Sequence, residues 1–481
     1  MSRTTASQEE LHRRITEARK MLEEIGQSHL LHFVEQLETE ECEALLDQIE
    51  SMDMPTAARI VASARTSDFR PPSADRIRPA GFVPHRPPNE EAARAHGRRL
   101  IHDGKVAAFT VAGGQGTRLG WNGPKGSFPA SPLTGKPLFR MFAEQIKAMS
   151  DRAEKTIPWY IMTSPINDAD TRAFFRDNNY FGLDRTSIFM FPQGVLPSFD
   201  EEGRFMLAGR SQVAVNPDGH GGSLRALRNS GAIEDMKARG IEQISYFQVD
   251  NPAVKALDPV FIGLHAIDES SSGEMSSKMV PKSSASEKVG VFCEVDGRNC
   301  VIEYSDLPEE LAEATNPDGS LTYTAGSIAI HLLSVEFVDR LTGEEASMSL
   351  PLHQAHKKVP YTCLETGALV NPESPNATKL ELFIFDAIPL AERSMVYETD
   401  RVEEFAPIKN AEGGDSPATS AALQFERSAR WLERAGLTVP RESDGTPAAR
   451  IEISSLSALG PEDLPTEDTP STIDAGDEFV I

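Results

Sequence analysis

An uninterrupted apolar run, 106–112, leads directly into the glycine-rich segment 113–120, and few folds accommodate that combination. A run without polar alternation indicates a strand buried on both faces, as in a parallel sheet. Further apolar runs of strand length follow at 159–163, 188–191, 244–250, 289–295, 301–304 and 327–333. Helical patterns separate the early runs, at 138–149, 171–178 and 223–239. This alternation predicts an α/β sheet with right-handed crossovers, whose ligands bind beyond the carboxyl ends of the strands.

The N-terminal region, residues 7–65, predicts a helical subdomain packed on the main body. A capping box of Ser7 and Glu10 starts its first helix, which ends before Gly26. Two more helices are expected, the second carrying Leu30, Leu31, Val34 and Leu37 and the third, after Thr39, carrying Leu45, Leu46 and Ile49.

Composition also sets apart a connector and a tail. Segment 69–88 holds six prolines and four arginines, which predicts an extended surface connector. Segment 451–481 holds eight acidic residues and no lysine or arginine, and we expect much of it to be a mobile tail. The predicted domains are a helical subdomain with its connector (1–100), a catalytic domain (101–390) and a C-terminal domain with an acidic tail (391–481).

Charge and composition exclude several classes of protein. The chain has 48 Lys and Arg against 73 Asp and Glu, a net charge of −25, which argues against nucleic acid or anionic membrane partners. No apolar run approaches the roughly 20 residues of a membrane helix, and the first ten residues lack an apolar signal core. The four cysteines show no CxxC spacing. We therefore expect a cytoplasmic protein with reduced thiols.

The glycine-rich segment is compatible with few known nucleotide loops. Neither Gly104-Lys105 nor Gly135-Lys136 is followed by Ser or Thr, so the P-loop pattern fails. The dinucleotide fingerprint fails because Leu119 stands where its third glycine is required. What remains is G-G-x-G-T-R-L followed by P-K, in which Arg118 and Lys125 suit a polyphosphate.

At these residues the sequence resembles the eukaryotic-type UDP-sugar pyrophosphorylases, most closely the UDP-N-acetylglucosamine (UDP-N-acetylhexosamine) pyrophosphorylases. The likeness covers about residues 100–430, and the matching segments occur in the same order as in the family. Its segments include W-Y-I-M-T-S (159–164), F-P-Q-G (191–194), P-D-G-H-G-G (217–222), V-D-N (249–251), V-G-V (289–291), I-E-Y-S (302–305), A-G-S-I (325–328) and E-F-A-P-I-K-N (404–410).

The resemblance implies an α/β fold, a Rossmann-like nucleotidyltransferase core with a mixed, mostly parallel sheet. It also implies a uridylyltransferase reaction. UTP and a sugar 1-phosphate would give a UDP-sugar and pyrophosphate, through in-line attack of the sugar phosphate on the α-phosphorus. Positioning and charge neutralisation account for most of the catalysis in such transfers, so no nucleophilic side chain is needed. The implied cofactor is Mg²⁺ and the implied partners are UTP and a sugar 1-phosphate. The sequence leaves the oligomeric state open, with a monomer or a weak dimer expected.

Roles for individual residues follow from the resemblance. The Gly113-Gly114 backbone and Gln193 would recognise uracil, although Gln193 could instead be a loop amide bonded to the backbone. Gly219 would approach the base or ribose. Asp250 would hold Mg²⁺, its alternative being a buried structural carboxylate beside Asn251.

The phosphates would be bound by cationic side chains. Arg118 and Lys125 would bind the leaving pyrophosphate, and Lys409 and Lys379 would reach the α- and sugar phosphates. Lys379 could equally be a lysine on a helix surface.

The sugar end departs from the family pattern. Gly290 and Glu303 match positions that bind sugar hydroxyls. His220 and Ser327 stand where the acetylhexosamine enzymes have asparagine, and glucose-type relatives also use histidine in that turn. Losing an amide partner costs about 1–3 kcal/mol when a buried group is left unsatisfied, enough to change the sugar preference.

Four functions are compatible with these residues to different degrees. A UDP-N-acetylhexosamine pyrophosphorylase agrees best, and His220 and Ser327 favour a UDP-glucose or broad UDP-sugar pyrophosphorylase as the alternative. A non-catalytic sugar-nucleotide sensor would have little need of Arg118 and Lys125. An NAD-linked oxidoreductase is disfavoured by the displaced third glycine.

Overall fold

The computed structural model describes residues 2–66, 72–343, 350–464 and 472–481. Its helices are, in chain order, α1 (Ser2–Glu24), α2 (Thr39–Ser51), α3 (Met54–Thr66), α4 (Glu90–His102), α5 (Leu138–Ala153), α6 (Asp168–Asp177), α7 (Gly222–Asn229), α8 (Ala232–Arg239), α9 (Pro259–Ile267), α10 (Glu309–Ala312), α11 (Val335–Thr342), α12 (Arg401–Glu404) and α13 (Pro417–Arg434).

Its strands are β1 (Ile77–Pro79), β2 (Val106–Val111), β3 (Trp159–Thr163), β4 (Ile188–Pro192), β5 (Val195–Pro197), β6 (Leu207–Gly209), β7 (Gln212–Val213), β8 (Val215–Pro217), β9 (Gln243–Gln248), β10 (Met275–Pro281), β11 (Val291–Val295), β12 (Arg298–Ile302), β13 (Ala325–Ser334), β14 (His353–Lys357), β15 (Tyr361–Thr362), β16 (Leu369–Val370), β17 (Ala377–Glu381), β18 (Met395–Glu398), β19 (Arg450–Glu452) and β20 (Glu478–Val480).

The chain folds into two compact units. One contains residues 1–70, 194–222 and 350–383, and the other contains residues 71–193, 223–349 and 384–481. The first unit combines α1–α3 with short antiparallel strand pairs, β5 with β8, β6 with β7, β14 with β17 and β15 with β16. The domain boundaries predicted at 100/101 and 390/391 stay a prediction.

The second unit is built on a mixed sheet. Its strand order is β1-β11-β13-β9-β2-β3-β4, with β12 beside β11 and β10 between β13 and β18. Pairing is parallel among β9, β2, β3 and β4 and between β10 and β18, and antiparallel elsewhere in this sheet. The predicted α/β fold with a mixed sheet is confirmed. The antiparallel pairing begins at β13, which lies beside β9 on the side away from β2.

Strand β2 lies at the centre of this core because nearly all its residues are apolar and buried. The apolar side of α5 covers the sheet, with the Phe142 ring 5.1 Å from Phe247 and the Phe139 ring 6.3 Å from Trp159. The helix predicted over 223–239 is two helices, α7 and α8, because Gly231 adopts a left-handed φ of 77° between them.

Helices α4 and α9 approach each other closely through two glycines. A Cβ on Gly97 would lie 1.9 Å from the carbonyl oxygen of Pro259, and one on Gly263 would lie 1.8 Å from that of Ala93. The contact therefore requires glycine at both positions, because any larger side chain would overlap the backbone of the other helix.

A buried ion cluster lies beside α9. The Nζ of Lys278, whose side chain is fully buried, lies 2.6 Å from the Asp258 carboxylate and 2.6 Å from both carboxylate oxygens of Glu404. The hydroxyl of Thr399 also donates to Glu404. These contacts satisfy charges that would be costly to bury alone.

The N-terminal elements differ in part from the prediction. Helix α1 begins at Ser2 rather than at Ser7. The second predicted helix is wrong, since two short 3-10 turns, Ser28–Leu31 and Val34–Gln36, stand in its place and bury Leu30, Leu31 and Val34. The Gln27 side chain bonds to Gly203 and Phe205 in the same unit, and this tertiary contact replaces a regular helix. The third predicted helix is confirmed as α2.

Two further segments are more tightly packed than predicted. Within the connector, β1 pairs with β11 and Ile77 is buried, whereas residues 69–71 lie outside the described residues. The expectation of a mobile tail is wrong for 451–464 and 472–481. There β19 pairs with β20, and Ile451, Ile473 and Ile481 share an apolar cluster. Residues 465–471 lie outside the described residues.

None of the helices in the described ranges is long and apolar enough to cross a bilayer.

Candidate active site

Four parallel strands bring their carboxyl ends to one edge of the sheet. Val111 of β2 is in register with Met162 of β3 and with Gln248 of β9, and Thr163 is in register with Pro192 of β4. The segments that follow these strands therefore meet at this edge, as predicted for an α/β ligand site.

The glycine loop after β2 meets the segment after β4. A Cβ on Gly113 would lie 2.2 Å from the Oε1 atom of Gln193, so only glycine allows this approach. The Gln193 side chain is almost fully buried, and its backbone N–H donates to the Thr163 carbonyl oxygen. The carbonyl oxygen of Gly114 accepts the backbone N–H of Lys125 at 3.0 Å. Gly113, Gly114 and Gln193 thus form one group.

The loop from 114 to 125 is closed by its own backbone. The N–H of Gly116 donates to the Gly123 carbonyl oxygen, and Gly120 turns the chain with a φ of 68°. Arg118 lies in a 3-10 turn on the loop's exposed side and makes no ion pair within the described part of the chain. A guanidinium held there is accessible to an anionic ligand.

Lys125 and Asp250 face each other across the edge of the sheet. The Lys125 Nζ lies 3.6 Å from Oδ2 of Asp250, and each side chain is 15% exposed. This separation brings a cation and a carboxylate within reach of one ligand. Asp250 lies two residues after the end of β9, where the sequence predicted a carboxylate that faces a ligand.

The segment that carries Lys409 is fixed to the Asp250 segment. The Ile408 N–H donates to the Asp250 carbonyl oxygen at 2.8 Å, and the Asn251 side chain bonds to Ala406 N and to the carbonyl oxygen of Glu404. A small cavity of about 70 Å³ is lined here by Phe247, Gln248, Asp250, Asn251, Phe405, Lys409 and residues 327–330.

Lys409 lies on the wall of this cavity with one carboxylate partner. Its Nζ is 3.2 Å from Oδ2 of Asp415 and 5.7 Å from the centre of the Phe405 ring. Both members of the ion pair are about two-fifths exposed, which leaves the ammonium accessible from solvent.

The residues predicted to bind the sugar are also brought together. The Ser327 N–H donates to the Gly290 carbonyl oxygen at 2.8 Å. A Cβ on Gly290 would lie 2.6 Å from a Val301 methyl group and 3.5 Å from the Glu303 carboxylate. Gly290, Glu303 and Ser327 therefore form a second group, and Ser327 also lines the cavity with Asp250.

The other compact unit carries Gly219, His220 and Lys379. Gly219 has a φ of 83°, and a Cβ there would lie 2.4 Å from the Leu382 carbonyl oxygen. The His220 ring stacks on Phe383 at 5.2 Å. Burial, assisted by nearby His353, lowers the pKa of His220 to about 4, so the imidazole is neutral at pH 7.

Lys379 lies on strand β17, opposite Ala355 of β14. Its partly exposed side chain makes no ion pair among the described residues. The alternative interpretation, a lysine on a helix surface, is excluded by this strand.

Sequence reasoning missed the structural role of Asn167. Its buried Nδ2 donates to the carbonyl oxygens of Ala112 and Gly114, and its Oδ1 accepts the Ser164 N–H. Asn167 thereby fixes the start of the glycine loop. A signal was present, because a polar residue soon after β3 occupies the same edge of the sheet as Asp250.

The donors available to a metal ion are few. Across the described ranges, no cluster of three or more His, Cys, Asp or Glu side chains could enclose a metal ion. Asp250 is the carboxylate that lies beside Lys125 at this edge of the sheet. That donor set agrees with Mg²⁺, which commonly uses one or two carboxylates together with substrate phosphates and water.

Comparison with known proteins identifies the family. A family model described as UTP–glucose-1-phosphate uridylyltransferase matches residues 59–452. The chain belongs to that family. The chain is 38% identical over 477 residues to UDP-N-acetylhexosamine pyrophosphorylase-like protein 1 of Xenopus tropicalis. The alignment covers 93% of this chain and 92% of the relative. The chain is 35% identical over 471 residues to the UDP-N-acetylglucosamine pyrophosphorylase of Saccharomyces cerevisiae, covering 94% and 96%.

Solved structures agree with the family assignment. The crystal structure of the uridine diphosphate N-acetylglucosamine pyrophosphorylase from Trypanosoma brucei, in complex with an inhibitor, matches with a TM-score of 0.79 and 27% identity. The match covers 94% of each chain. The predicted family and the enzyme class, a sugar-1-phosphate uridylyltransferase, are thereby confirmed for this uridylyltransferase-family chain.

Proposed function

We propose that this enzyme transfers the uridylyl group of UTP to an N-acetylhexosamine 1-phosphate, releasing pyrophosphate. The observation that carries the proposal is the Lys125–Asp250 pair, 3.6 Å apart beside the glycine loop in a member of a uridylyltransferase family. Such a transfer needs a cation near the leaving phosphates and a carboxylate that can hold a metal ion. Both groups lie together at this edge of the sheet.

Uracil binds where the glycine loop meets Gln193. The amide of Gln193 has a donor and an acceptor, which match the imide edge of the base. Gly113 and Gly114 allow the base to approach the backbone, and Asn167 keeps that backbone in place. The expected approach of Gly219 to the base or ribose stays a prediction.

The phosphates are bound by cationic side chains. A sugar-phosphate oxygen attacks the α-phosphorus while the bond from that phosphorus to the oxygen bridging to the β-phosphate breaks. Arg118 and Lys125 stabilise the charge that develops on pyrophosphate. Lys409 orients the α- and sugar phosphates for in-line attack. The role expected of Lys379 at these phosphates stays a prediction. The attacking phosphate is already ionised at pH 7, so neutral His220 is not required as a base.

Asp250 is the residue that would hold Mg²⁺, with substrate phosphate oxygens completing the coordination. Bound Mg²⁺ would neutralise phosphate charge at the reacting centre. Lys125, at 3.6 Å, keeps the free carboxylate paired.

The sugar is proposed from two lines of support. Relatives named for N-acetylated sugars match more than nine-tenths of the chain. Gly290, Glu303 and Ser327 form one group, suited to hydrogen bonding with sugar hydroxyls. A UDP-glucose or broad-specificity pyrophosphorylase is the second candidate, because His220 and Ser327 replace two amides of the acetylhexosamine pattern.

Pyrophosphate release with UTP and Mg²⁺ tests the proposal. The assay compares N-acetylglucosamine, N-acetylgalactosamine, glucose and galactose 1-phosphates. We expect kcat/KM at least tenfold higher for an acetylated sugar. A preference for glucose or galactose 1-phosphate would replace the first candidate by the second, and no release with any of the four would refute the proposed activity.

Variants of the loop test the assigned roles. Lys125→Ala and Arg118→Ala should lower kcat by about 10²–10³-fold, because each removes a charge that stabilises the transition state. Lys147→Ala, on the exposed side of α5, is the matched control and should retain activity. Unchanged turnover in both loop variants would contradict the assignment.

A further inference from the structure

Strand β13 contains a bulge at the wall of the Asp250 cavity. Against β10, Ser277 pairs with His331 but Met279 pairs with Ser327, so Lys278 alone faces residues 328–330. Two extra residues are thereby inserted into β13. A bulge of this kind leaves backbone groups outside the regular ladder.

The other edge of β13 is interrupted at the same place. There β13 pairs with β9 from His331 to Ser334 and with β11 at Gly326. Among the described strands, residues 328–330 have no registered partner on this edge. The interruption is the opening that the cavity occupies, and Asp250 and Lys409 line its other walls.

Ala329 has a conformation that is costly for an alanine. Its φ is 53°, in the left-handed region, whereas Ile328 and Ile330 have negative φ values. Both isoleucines are buried in the core, and Ala329 between them is partly exposed on the cavity side. A left-handed residue between neighbours of negative φ can direct successive N–H groups to one side, which forms a concave anion site.

We propose that the backbone N–H groups of 328–330 form a binding subsite for the phosphate of the sugar 1-phosphate. This inference rests on the proposed function. The adjoining Ser327 is hydrogen-bonded to Gly290 on the sugar side, and Lys409 and Asp250 lie on the phosphate side. The bulge therefore stands between the sugar group and the reacting centre. The β- and γ-phosphates of UTP, which leave as pyrophosphate, are bound by Arg118 and Lys125 and do not depend on it.

Two substitutions at one position test the subsite. Glycine adopts a φ near 53° freely, whereas β-branched valine strongly disfavours it. We expect the KM for the sugar 1-phosphate to be at least tenfold higher in Ala329→Val than in Ala329→Gly, with KM values for UTP within about twofold of each other. Equal KM values for the sugar 1-phosphate, or a rise for UTP instead, would overturn the proposal.

The matched control is Glu154, a left-handed residue at the exposed end of α5 with a φ of 50°. Glu154→Val and Glu154→Gly differ by the same backbone conflict outside the cavity. Their KM values for the sugar 1-phosphate should agree within twofold, even if their melting temperatures differ. A tenfold difference between them would assign the Ala329 result to general destabilisation.

Amide hydrogen exchange tests the subsite without turnover. Inorganic phosphate, added to the wild-type enzyme with UDP and Mg²⁺, should slow exchange of a peptide spanning 325–334 by at least threefold. No change would overturn the subsite. Failure of pyrophosphate release with every sugar would instead refute the proposed function, so the two failures are distinguishable.

Discussion

At the scale of single residues, the atoms around each buried ionisable side chain determine its charge. Burial raises the pKa of Asp258, but Lys278 and Lys255 outweigh that effect and hold it at about 2. His265 shows the opposite case. It is fully buried, its Nδ1 lies 2.8 Å from the Ser276 hydroxyl, and its Nε2 has no hydrogen-bond partner among the described residues. Burial lowers the pKa of His265 to about 4.

His265 should make stability depend on pH. Its folded pKa lies below the unfolded value of about 6.5, so the unfolded chain binds the proton first. The stabilisation is complete above pH 6.5 and is lost as pH falls towards 4. Between pH 7 and 5.5, this one histidine should account for about 1.2 kcal/mol of lost unfolding free energy. Both pH values lie above the pI of about 4.9.

Urea titrations at the two pH values check this expectation. In His265→Gln the loss of unfolding free energy between pH 7 and 5.5 should be smaller by about 1 kcal/mol or more. The same change at exposed His12 should leave the loss as in the wild type. An unaltered loss in His265→Gln would refute the buried neutral state.

At the scale of elements, the α4–α9 contact depends on side-chain size more than on hydrophobicity. Gly97 and Gly263 are interior helix residues, where glycine is costly by about 1 kcal/mol relative to alanine. Here an added Cβ would overlap a backbone carbonyl oxygen that cannot rotate away. The close packing of two helices therefore outweighs the propensity of each.

Gly97→Ala should lower the free energy of unfolding by about 2 kcal/mol or more, because the helices must separate to admit the methyl group. Gly81→Ala is the matched control, since a Cβ there meets no atom within 4 Å. Denaturant unfolding of both variants measures the difference. Equal stabilities would mean that the helices separate at little cost.

Elements defined by local pattern were predictable from the sequence. Continuous apolar runs predicted β2, β3, β4 and β9, and the rule that ligands bind at strand ends predicted a ligand site at the edge where these strands end. The bulge in β13 was not predictable, because 327–333 is one apolar run and only pairing with β10 reveals the extra residues. The packing of the chain around Glu452 depends on contacts between residues far apart in sequence. One example is the hydrogen bond that the Glu452 carboxylate accepts from the Leu133 N–H.

At the scale of the whole molecule, the net charge of −25 opposes compaction. The predicted phosphate-binding residues Arg118, Lys125 and Lys409 are local exceptions in this acidic chain. An anionic substrate therefore meets long-range repulsion and short-range attraction. Salt screens the first more than the second, because the Debye length falls from about 30 Å at 0.01 M to about 8 Å at 0.15 M.

Raising NaCl from 10 to 150 mM should therefore increase the melting temperature, by about 1–3 °C, through weaker self-repulsion. Scanning calorimetry at constant pH measures the shift. KCl should have the same effect as NaCl, because the cause is ionic strength. A fall in melting temperature would show that surface ion pairs outweigh the net charge.

The Lys278 cluster has a consequence for how relatives of this chain can diverge. Its members, Asp258, Lys278 and Glu404, come from three distant parts of the sequence. Removing one partner leaves a buried charge uncompensated, at a cost of about 3–5 kcal/mol, whereas exchanging the whole set for apolar residues is often neutral. Evolution should therefore keep or replace the three together. Across a family alignment these three positions should covary, whereas the two members of an exposed surface ion pair should vary independently.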